Sequence, residues 1–443
     1  MNRRLSCAAV LAASLAMAVS ACSSSKSSTP AASKKDTSVL STDGKGKTVT
    51  VWLQSDAQKG WPAIVKQAND RFEAATGAKV NVQYQQWSNY TTKLDSTFAG
   101  STAIPDVVEL GNTQTASYIA GGAFADLTSA KGQFDNSANW LQGLTDSATS
   151  PDGKLQAVPY YAGSRVVIYR TDLFKKAGIT AAPTTLDELN SDLDKVKAAN
   201  ASDPHFSAFY MPGKYWYAAM SFVYGAGGKI ASKDGDKWVG GLESPEAQQG
   251  LTEWQKLATT YSVGGTTKDE ADQDAIMAQG HTGAIVGNGW EVGSITDPKT
   301  GKPSLAPNLG TFPLPSATAG KYTPSFLGGS DLAVPQKASN AGLGATWIKY
   351  YTDGTSQTAL AKFAIPNATS LLNVYEAAGA ANKSTGEAAK DTWFVPNTPN
   401  WANVESGNVL QNMLESIASG KASIADATKA ADAQIATTLN AGS

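Results

Sequence analysis

From Thr48 onward, the chain alternates segments that have the period of a β-strand with segments that have the period of a helix. "TVTVWLQ" alternates apolar and polar residues, and "WPAIVKQANDRFEAATG" then places Ile64, Ala68 and Phe72 on one helical face. "KVNVQYQQW" has the strand period again, and "PDVVEL" has the composition of a buried strand. Strands separated by helices predict a mostly parallel sheet that helices cover on both faces. The predicted fold class is therefore α/β.

The alternation continues through the rest of the 443 residues, a length that allows two or three domains. "VPYYAG", "RVVIYR", "GAIVG" and "DLAVP" are predicted strands, and "TTLDELNSDLDKVKAAN" is a predicted helix with a threonine cap. The last hundred residues are predicted to be helical, with Leu410, Met413 and Ile417 on one face and Ser423 opening the final helix. Two α/β lobes of this kind would leave a cleft beyond the carboxyl ends of the strands, where ligands bind in such sheets.

The N-terminus has the features of a secretory signal. Arg3 and Arg4 precede the apolar stretch "CAAVLAASLAMAV", which is too short to span a bilayer and ends in "VSAC". Small residues before a cysteine resemble a bacterial lipobox, which implies a signal peptide over residues 1–21 and a lipid on Cys22. A plain secretory signal with an incidental cysteine is the alternative. Residues 22–47 contain almost nothing apolar and are predicted to be a flexible tether.

Composition argues against several classes of function. Lys and Arg total 36 against 38 Asp and Glu, so there is no basic excess to bind nucleic acid. His205 and His281 are the only histidines and lie far apart in the sequence, which gives little support to a zinc site or a serine triad. We predict no bound metal, no cofactor and no catalytic residue. A glycoside hydrolase stays an alternative, because any chain of this size contains candidate carboxylate pairs.

Polar and aromatic residues follow several predicted strands, where a ligand in a cleft would lie. A sugar presents an apolar face of C–H groups to a flat ring, and a rim of hydroxyls to carboxylates or an arginine. The sequence therefore predicts a carbohydrate site. The candidate ligand-binding residues are Gln54, Asp56, Glu109, Asn112, Thr113, Tyr161, Arg165, Trp216, Tyr217, Trp290, Glu291, Ser330 and Asp331.

Trp290 is the most specific of these candidates, because it follows a predicted strand and stands among four glycines in "GAIVGNGWEVGS". We expect its ring to stack on a sugar, with Glu291 binding hydroxyls and with Gly287 and Gly289 leaving room for the ligand near the backbone. Packing of Trp290 in a core is the alternative interpretation. The same ambiguity holds for the aromatic residues of "KYWYAAMSF". Packing is the favoured interpretation for three further candidates, Trp87, Trp393 and Trp401.

Several stretches, in their order along the chain, resemble the type 1 extracellular solute-binding proteins of ABC sugar importers. They are "VTVWLQSDA", "PDVVELGN", "GGAFADLT", "GKLQAVPYYAGSRVVIYRTDLF", "GAIVGNGW", "FLGGSDLAVP" and "NMLESIASGKASIADA". The resemblance covers residues 47 to the end. Within the family, "VPYYAGSRV", "WYAAMSFVYGAGG" and "FLGGSDLAVP" are most similar to actinobacterial members that bind N,N′-diacetylchitobiose and N-acetylglucosamine.

The resemblance implies a type II periplasmic-binding-protein-like fold, with a ligand cleft between two lobes that three crossovers join. One lobe would comprise residues 48–161 and 326–368, and the other residues 162–325 and 369–443. The crossovers are expected near residues 161–165, 321–327 and 366–372. The resemblance favours ligand contact for Trp290 and for Asp56, which falls at a first-loop position that commonly contacts ligand in this family.

The function implied by the resemblance is capture of an oligosaccharide and its delivery to a permease, without catalysis. Chitobiose or N-acetylglucosamine is the expected ligand, while cellobiose, xylobiose and maltose stay open as alternatives. The expected partners are ABC permease subunits with a cytoplasmic ATPase. The protein is expected to be a monomer held by lipid at the outer face of the cytoplasmic membrane.

Overall fold

The computed structural model describes residues 39–87, 90–100, 103–270 and 272–442. The predicted signal peptide and Cys22 lie outside the described residues. The strands are β1 (Thr48–Gln54), β2 (Lys79–Gln85), β3 (Val107–Gly111), β4 (Val158–Gly163), β5 (Arg165–Arg170), β6 (Ala231–Asp234), β7 (Lys237–Gly240), β8 (Ala284–Asn288), β9 (Leu309–Phe312), β10 (Ser325–Phe326), β11 (Gly328–Ala333), β12 (Ile365–Pro366) and β13 (Thr392–Trp393).

Helices lie between these strands and in the C-terminal part of the chain. They are α1 (Ser55–Gly60), α2 (Pro62–Thr76), α3 (Tyr90–Ala99), α4 (Asn112–Ala120), α5 (Gln142–Ala148), α6 (Thr171–Lys176), α7 (Leu186–Ala199), α8 (Trp216–Gly225), α9 (Pro245–Lys256), α10 (Gln273–Gln279), α11 (Glu291–Ile295), α12 (Ala341–Tyr351), α13 (Gly354–Leu360), α14 (Leu372–Glu376), α15 (Ala380–Ala388), α16 (Trp401–Ser406), α17 (Val409–Ala418) and α18 (Ile424–Leu439). Short 3₁₀ or π turns occur at Thr128–Gln133, Leu257–Tyr261, Pro303–Asn308 and Thr369–Leu371.

The predicted strands and helices occur in the structure, and their caps are formed as expected. Thr185 Oγ1 accepts the Glu188 N–H at 3.1 Å at the start of α7, and Ser423 Oγ accepts the Asp426 N–H at 3.1 Å at the start of α18. Met413 is buried on the inner face of α17, together with the other apolar residues predicted there. Local periodicity and capping residues therefore identify these elements correctly.

Six strands form the large sheet, in the order β12-β4-β11-β3-β1-β2. β1 is parallel to both of its neighbours, with Val51 beside Val82 of β2 and beside Val107 of β3. The consecutive residues Val51, Trp52, Leu53 and Gln54 are all buried, as expected for a parallel strand covered on both faces. Helices α2 and α12 pack against each other on this sheet and belong to its core.

The prediction of a mostly parallel arrangement is wrong for most of the other strand pairs, although β10 is parallel to β13. β11 runs antiparallel between β3 and β4, β12 is antiparallel to β4, and the small sheet β8-β5-β9 is antiparallel throughout. The chain begins each of these strands at the end of the sheet where the neighbouring strand finishes, so the two strands run in opposite directions. The alternation of strands and helices along the sequence does not indicate where a later segment pairs with a distant strand.

Two large hydrophobic cores accompany the two sheets. The core of the large-sheet lobe includes Phe72 and Trp347, and the core of the small-sheet lobe includes Phe209 and Trp254. The chain leaves the large sheet at the end of β4 and enters the small sheet at β5, with only Ser164 between them. This arrangement provides two lobes joined by strand crossovers, while the residue boundaries of the lobes stay a prediction.

Residues 39–47 correct the predicted extent of the tether. Val39 and Leu40 pack against the large-sheet core, and the Ser41 N–H donates to Gly342 O at 3.0 Å and to Thr346 Oγ1 at 3.0 Å. Two apolar residues and these hydrogen bonds attach the segment to α12. The end of the predicted tether therefore belongs to the folded domain.

Within the described part of the chain, no helix has the length and apolar character that a membrane span requires.

Candidate functional site

A cavity of about 650 Å³ lies between residues of the two lobes, within the size range of small-molecule sites. The large-sheet lobe contributes the end of α1, the adjacent Trp61 and Tyr161 of β4. The small-sheet lobe contributes α10, Trp290 and the segment through Thr300. The residues lining it are Asp56, Lys59, Gly60, Trp61, Tyr161, Asp274, Ala275, Ala278, Trp290, Gly293, Ser294, Asp297, Thr300, Phe363 and Ala364.

Four aromatic side chains line this cavity, and we call Trp61, Tyr161, Trp290 and Phe363 the cavity rings. Trp290 is 46% exposed and Phe363 is 47% exposed, so both present large apolar surfaces to solvent. Trp61 and Tyr161 are mostly buried and meet edge to face, with their ring centroids 5.3 Å apart. The cavity therefore offers flat apolar surfaces from both lobes.

Polar groups accompany the rings. Asp56 accepts a hydrogen bond from Trp87 Nε1 at 2.8 Å, and Trp87 is itself 42% exposed. Asp274, Asp297 and Lys59 also line the cavity, together with the hydroxyls of Ser294 and Thr300. Carboxylates and hydroxyls beside exposed rings can bind the hydroxyl rim and the apolar face of one ligand.

The carboxylate of Glu291 turns inward from the cavity. It accepts the Asn288 N–H at 2.9 Å, and Gln273 Nε2 donates to its two oxygens at 3.1 and 3.0 Å. Burial raises the pKa of Glu291 to about 7. A Cβ at Gly287 would lie 2.6 Å from this carboxylate, and a Cβ at Gly289 would lie 2.3 Å from Thr385 Oγ1. The two glycines therefore make room for protein side chains. The prediction that they leave room for a ligand near the backbone is wrong in this respect.

Four predicted site residues on strands of the large sheet are buried: Gln54, Glu109, Ser330 and Asp331. Glu109 accepts the Gln54 N–H at 2.8 Å. Asp331 accepts from the hydroxyls of Thr115 and Ser147 at 2.8 and 2.9 Å. Burial raises the pKa of both carboxyl groups to about 7. These acids make contacts within the lobe.

Asn112 and Thr113, at the start of α4, also contact protein groups. Asn112 Nδ2 donates to Leu327 O at 2.9 Å, and Thr113 Oγ1 donates to Glu405 at 3.4 Å. Both residues are buried. They connect the large-sheet lobe to the segments that follow the small sheet.

Arg165 lies over the ring of Tyr217, with its guanidinium carbon 4.4 Å from the ring centroid. Its Nε donates to Tyr215 Oη at 2.8 Å, and one terminal nitrogen forms an ion pair with Glu270 at 2.9 Å. Arg165 is 8% exposed, so most of its surface is covered by these partners.

A second group of aromatic side chains lies inside the small-sheet lobe. We call Trp216, Tyr217, Phe326, Trp393 and Trp401 the interior cluster. The rings of Trp216 and Tyr217 stack with their centroids 3.9 Å apart, while Trp393 and Trp401 lie 6.2 and 5.9 Å from Trp216. Trp393 and Trp401 are buried, as the favoured interpretation expects. The interior cluster therefore belongs to the packing of the lobe.

The histidines do not form a metal centre. His281 Nδ1 lies 2.6 Å from Asp203 Oδ2. Across residues 39–442 as far as they are described, no group of three or more His, Cys, Asp or Glu side chains could hold a metal ion.

The profile of the bacterial extracellular solute-binding proteins matches residues 53–358 of the chain. The chain belongs to this family. The diacetylchitobiose binding protein DasA of Streptomyces coelicolor is 35% identical to this solute-binding protein over 390 residues, which cover 87% of this chain and 88% of that protein. The maltodextrin-binding protein MdxE of Bacillus subtilis is 24% identical over 348 residues, which cover 77% and 75% of the two chains.

Solved structures share the fold of this solute-binding protein. The sugar-binding protein MalE from Xanthomonas citri has a TM-score of 0.76 at 20% identity, with 89% of this chain and 97% of that chain covered. The GacH receptor of Streptomyces glaucescens, solved without ligand and with acarbose, has a TM-score of 0.74 at 19% identity, with 89% and 99% covered. The predicted two-lobed, type II binding-protein fold is confirmed.

Of the predicted site residues of this solute-binding protein, the structure places Asp56, Tyr161 and Trp290 on the cavity. Sequence reasoning missed Trp61 and Phe363, which complete the cavity rings. Trp61 stands directly before the proline that opens α2, and Phe363 follows α13. Neither position carries a sequence signal that separates a cavity ring from a core ring.

Proposed function

We propose that this solute-binding protein captures an oligosaccharide outside the cell for an ABC importer, and that its ligand is N,N′-diacetylchitobiose or N-acetylglucosamine. The observation that carries the proposal is the cavity, in which the half-exposed rings of Trp290 and Phe363 stand among carboxylates and hydroxyls. A ring that stacks on a sugar contributes about 0.5–1.5 kcal/mol beyond area burial, by analogy with aromatic pairs.

Asp56, Tyr161 and Trp290 are the proposed ligand contacts, and Trp61 and Phe363 join them because they line the same cavity. Ligand contact by the other predicted site residues stays a prediction. Glu109, Asp331 and Glu291 have buried carboxylates that bind protein groups, which favours a supporting role in the unliganded protein.

The choice of sugar is supported by the 35% identity to the diacetylchitobiose binding protein over most of both chains. The relative named for maltodextrin is less similar, at 24% identity. Binding of cellobiose, xylobiose or maltose is therefore the alternative. The proposal also includes a lipid on Cys22, a monomer at the outer face of the cytoplasmic membrane, and delivery to permease subunits driven by an ATPase. It includes no catalysis.

Titration calorimetry of the purified protein with chitobiose, N-acetylglucosamine, cellobiose, xylobiose and maltose tests the proposal. We expect saturable chitobiose binding with a Kd of about 1 μM or below, since an enclosing site commonly reaches about −8 kcal/mol. Tighter binding of another disaccharide would replace the ligand assignment, and no binding of any sugar would overturn the proposed function. Chromatography of chitooligosaccharides after overnight incubation should show no shorter products, whereas accumulating products would favour a glycoside hydrolase.

A further inference from the structure

The ring of Trp290 rests on the backbone of Gly163, at the end of the strand that leaves the large sheet. A Cβ at position 163 would lie 2.3 Å from Trp290 Cζ3 and 2.4 Å from Cη2. Real Cβ atoms do not approach other atoms so closely, so the observed position of the ring requires glycine at 163. The requirement is one of space, because Gly163 is not among the glycines with positive φ.

The other close approach at this position is less severe, because a Cβ at 163 would lie 3.2 Å from Asn288 Oδ1. Gly163 pairs with Gly328 of β11 within the large sheet, and glycine inside a strand costs stability unless a close approach needs it. Tyr161 lies two residues earlier on β4, so it projects from the same face of the strand as position 163. The ring of Trp290 therefore lies beside a strand that also carries a second cavity ring.

The backbone of Trp290 is held independently of its ring. Glu291 accepts from Asn288 N and from Gln273 Nε2, and the Trp290 carbonyl accepts the Gly293 N–H at 2.9 Å. Asn288 pairs with Arg165 at the end of the small sheet. Since both backbones are fixed, the orientation of the ring depends on its side-chain torsions and on the surface against which it rests.

We propose that Gly163 is a positioning residue for ligand binding, which holds the Trp290 ring in the orientation that meets the ligand. The inference rests on the proposed function, because it assigns Gly163 a role in the same cavity. The ring contacts a residue at the crossover between the sheets, so both lobes determine its orientation. A ring held before the ligand arrives loses less conformational freedom on binding, which favours affinity.

The test compares Gly163→Ala with Gly132→Ala, alone and in a Trp290→Ala background. The new methyl group at 163 meets the far end of a flexible side chain, so we expect the variant to fold with a displaced ring. Gly132 is exposed on the turn Thr128–Gln133, outside the cavity, and a Cβ there would meet nothing within 4 Å, which makes it a matched control.

The first measurement is near-ultraviolet circular dichroism without sugar. We expect Gly163→Ala to change the aromatic spectrum, and the change to disappear when Trp290 is already alanine. Gly132→Ala should leave the spectrum unchanged. A Gly163→Ala spectrum identical to that of the parent would overturn the inference, whether or not the protein binds a sugar.

The second measurement is chitobiose affinity by calorimetry. We expect Gly163→Ala to weaken binding about three- to tenfold, the range of an aromatic contact, and to have no further effect in the Trp290→Ala background. Equal losses in both backgrounds would show that Gly163 acts independently of Trp290 and would overturn the inference. Failure of the parent protein to bind any sugar would contradict the proposed function, while the spectrum would still decide the role of Gly163.

Discussion

The cavity rings and the interior cluster contain the same residue types but differ in their surroundings. Trp290 is 46% exposed and touches the backbone of Gly163, whereas Trp401 is 1% exposed and packs near Trp216. A buried ring gives its apolar surface to the stability of the lobe. Under the proposed function, a ring that stays exposed keeps that surface for the ligand. Exposure in the fold, and not residue type, therefore separates the two roles.

Truncation within the interior cluster should have the largest effect. We expect Trp401→Ala to lower the free energy of unfolding by about 3–5 kcal/mol, because it removes a buried indole and leaves a cavity. Chemical denaturation measures this loss. The folded fraction should bind chitobiose with the affinity of the parent protein. A variant that kept its stability but lost binding would place Trp401 in the ligand site and remove the distinction between the two regions.

Truncation of a cavity ring should have the opposite pattern. We expect Trp290→Ala to weaken chitobiose binding at least tenfold, about 1.4 kcal/mol, since the ring supplies an exposed flat surface for the sugar. Its free energy of unfolding should stay within about 1 kcal/mol of the parent protein, because little buried surface is lost. Calorimetry and denaturation of the same preparation measure both. Unchanged affinity would exclude Trp290 from the site.

Local sequence pattern predicts most elements of this protein but not how distant strands pair. The alternation along β1 and the capping threonine of α7 are local features, and both are confirmed. β11 reaches the large sheet from residues more than two hundred positions beyond β3, and its insertion buries Glu109 and Asp331. Glu109 and Asp331 lie within β3 and β11 and not beyond the strand ends, and their burial follows from a strand order that periodicity does not contain.

The same limit applies to the aromatic residues. Glycines around Trp290 indicate tight backbone, but the close approach involves Gly163, a residue more than a hundred positions earlier. Phe363 has no distinguishing neighbour, and it becomes a cavity ring because α13 ends beside Trp61. Rings from separate segments define one cavity only through tertiary packing.

The contrast between the interior and the cavity also extends to carboxyl groups, through the pH dependence of the Tm. Burial raises the pKa of Glu109, Glu291, Asp331 and Glu405 to about 7, above the values near 4 that these groups have in an unfolded chain. The folded protein therefore retains protons that the unfolded chain has released, so the stability from these groups is fully present below about pH 4 and is lost as pH rises to about 7. We expect the Tm, measured by thermal denaturation, to fall between pH 5 and pH 8. Glu109→Gln cannot lose this proton and should show a smaller fall. A Tm that rises over this interval would mean that these carboxyl groups are ionised in the folded protein, which would contradict the prediction.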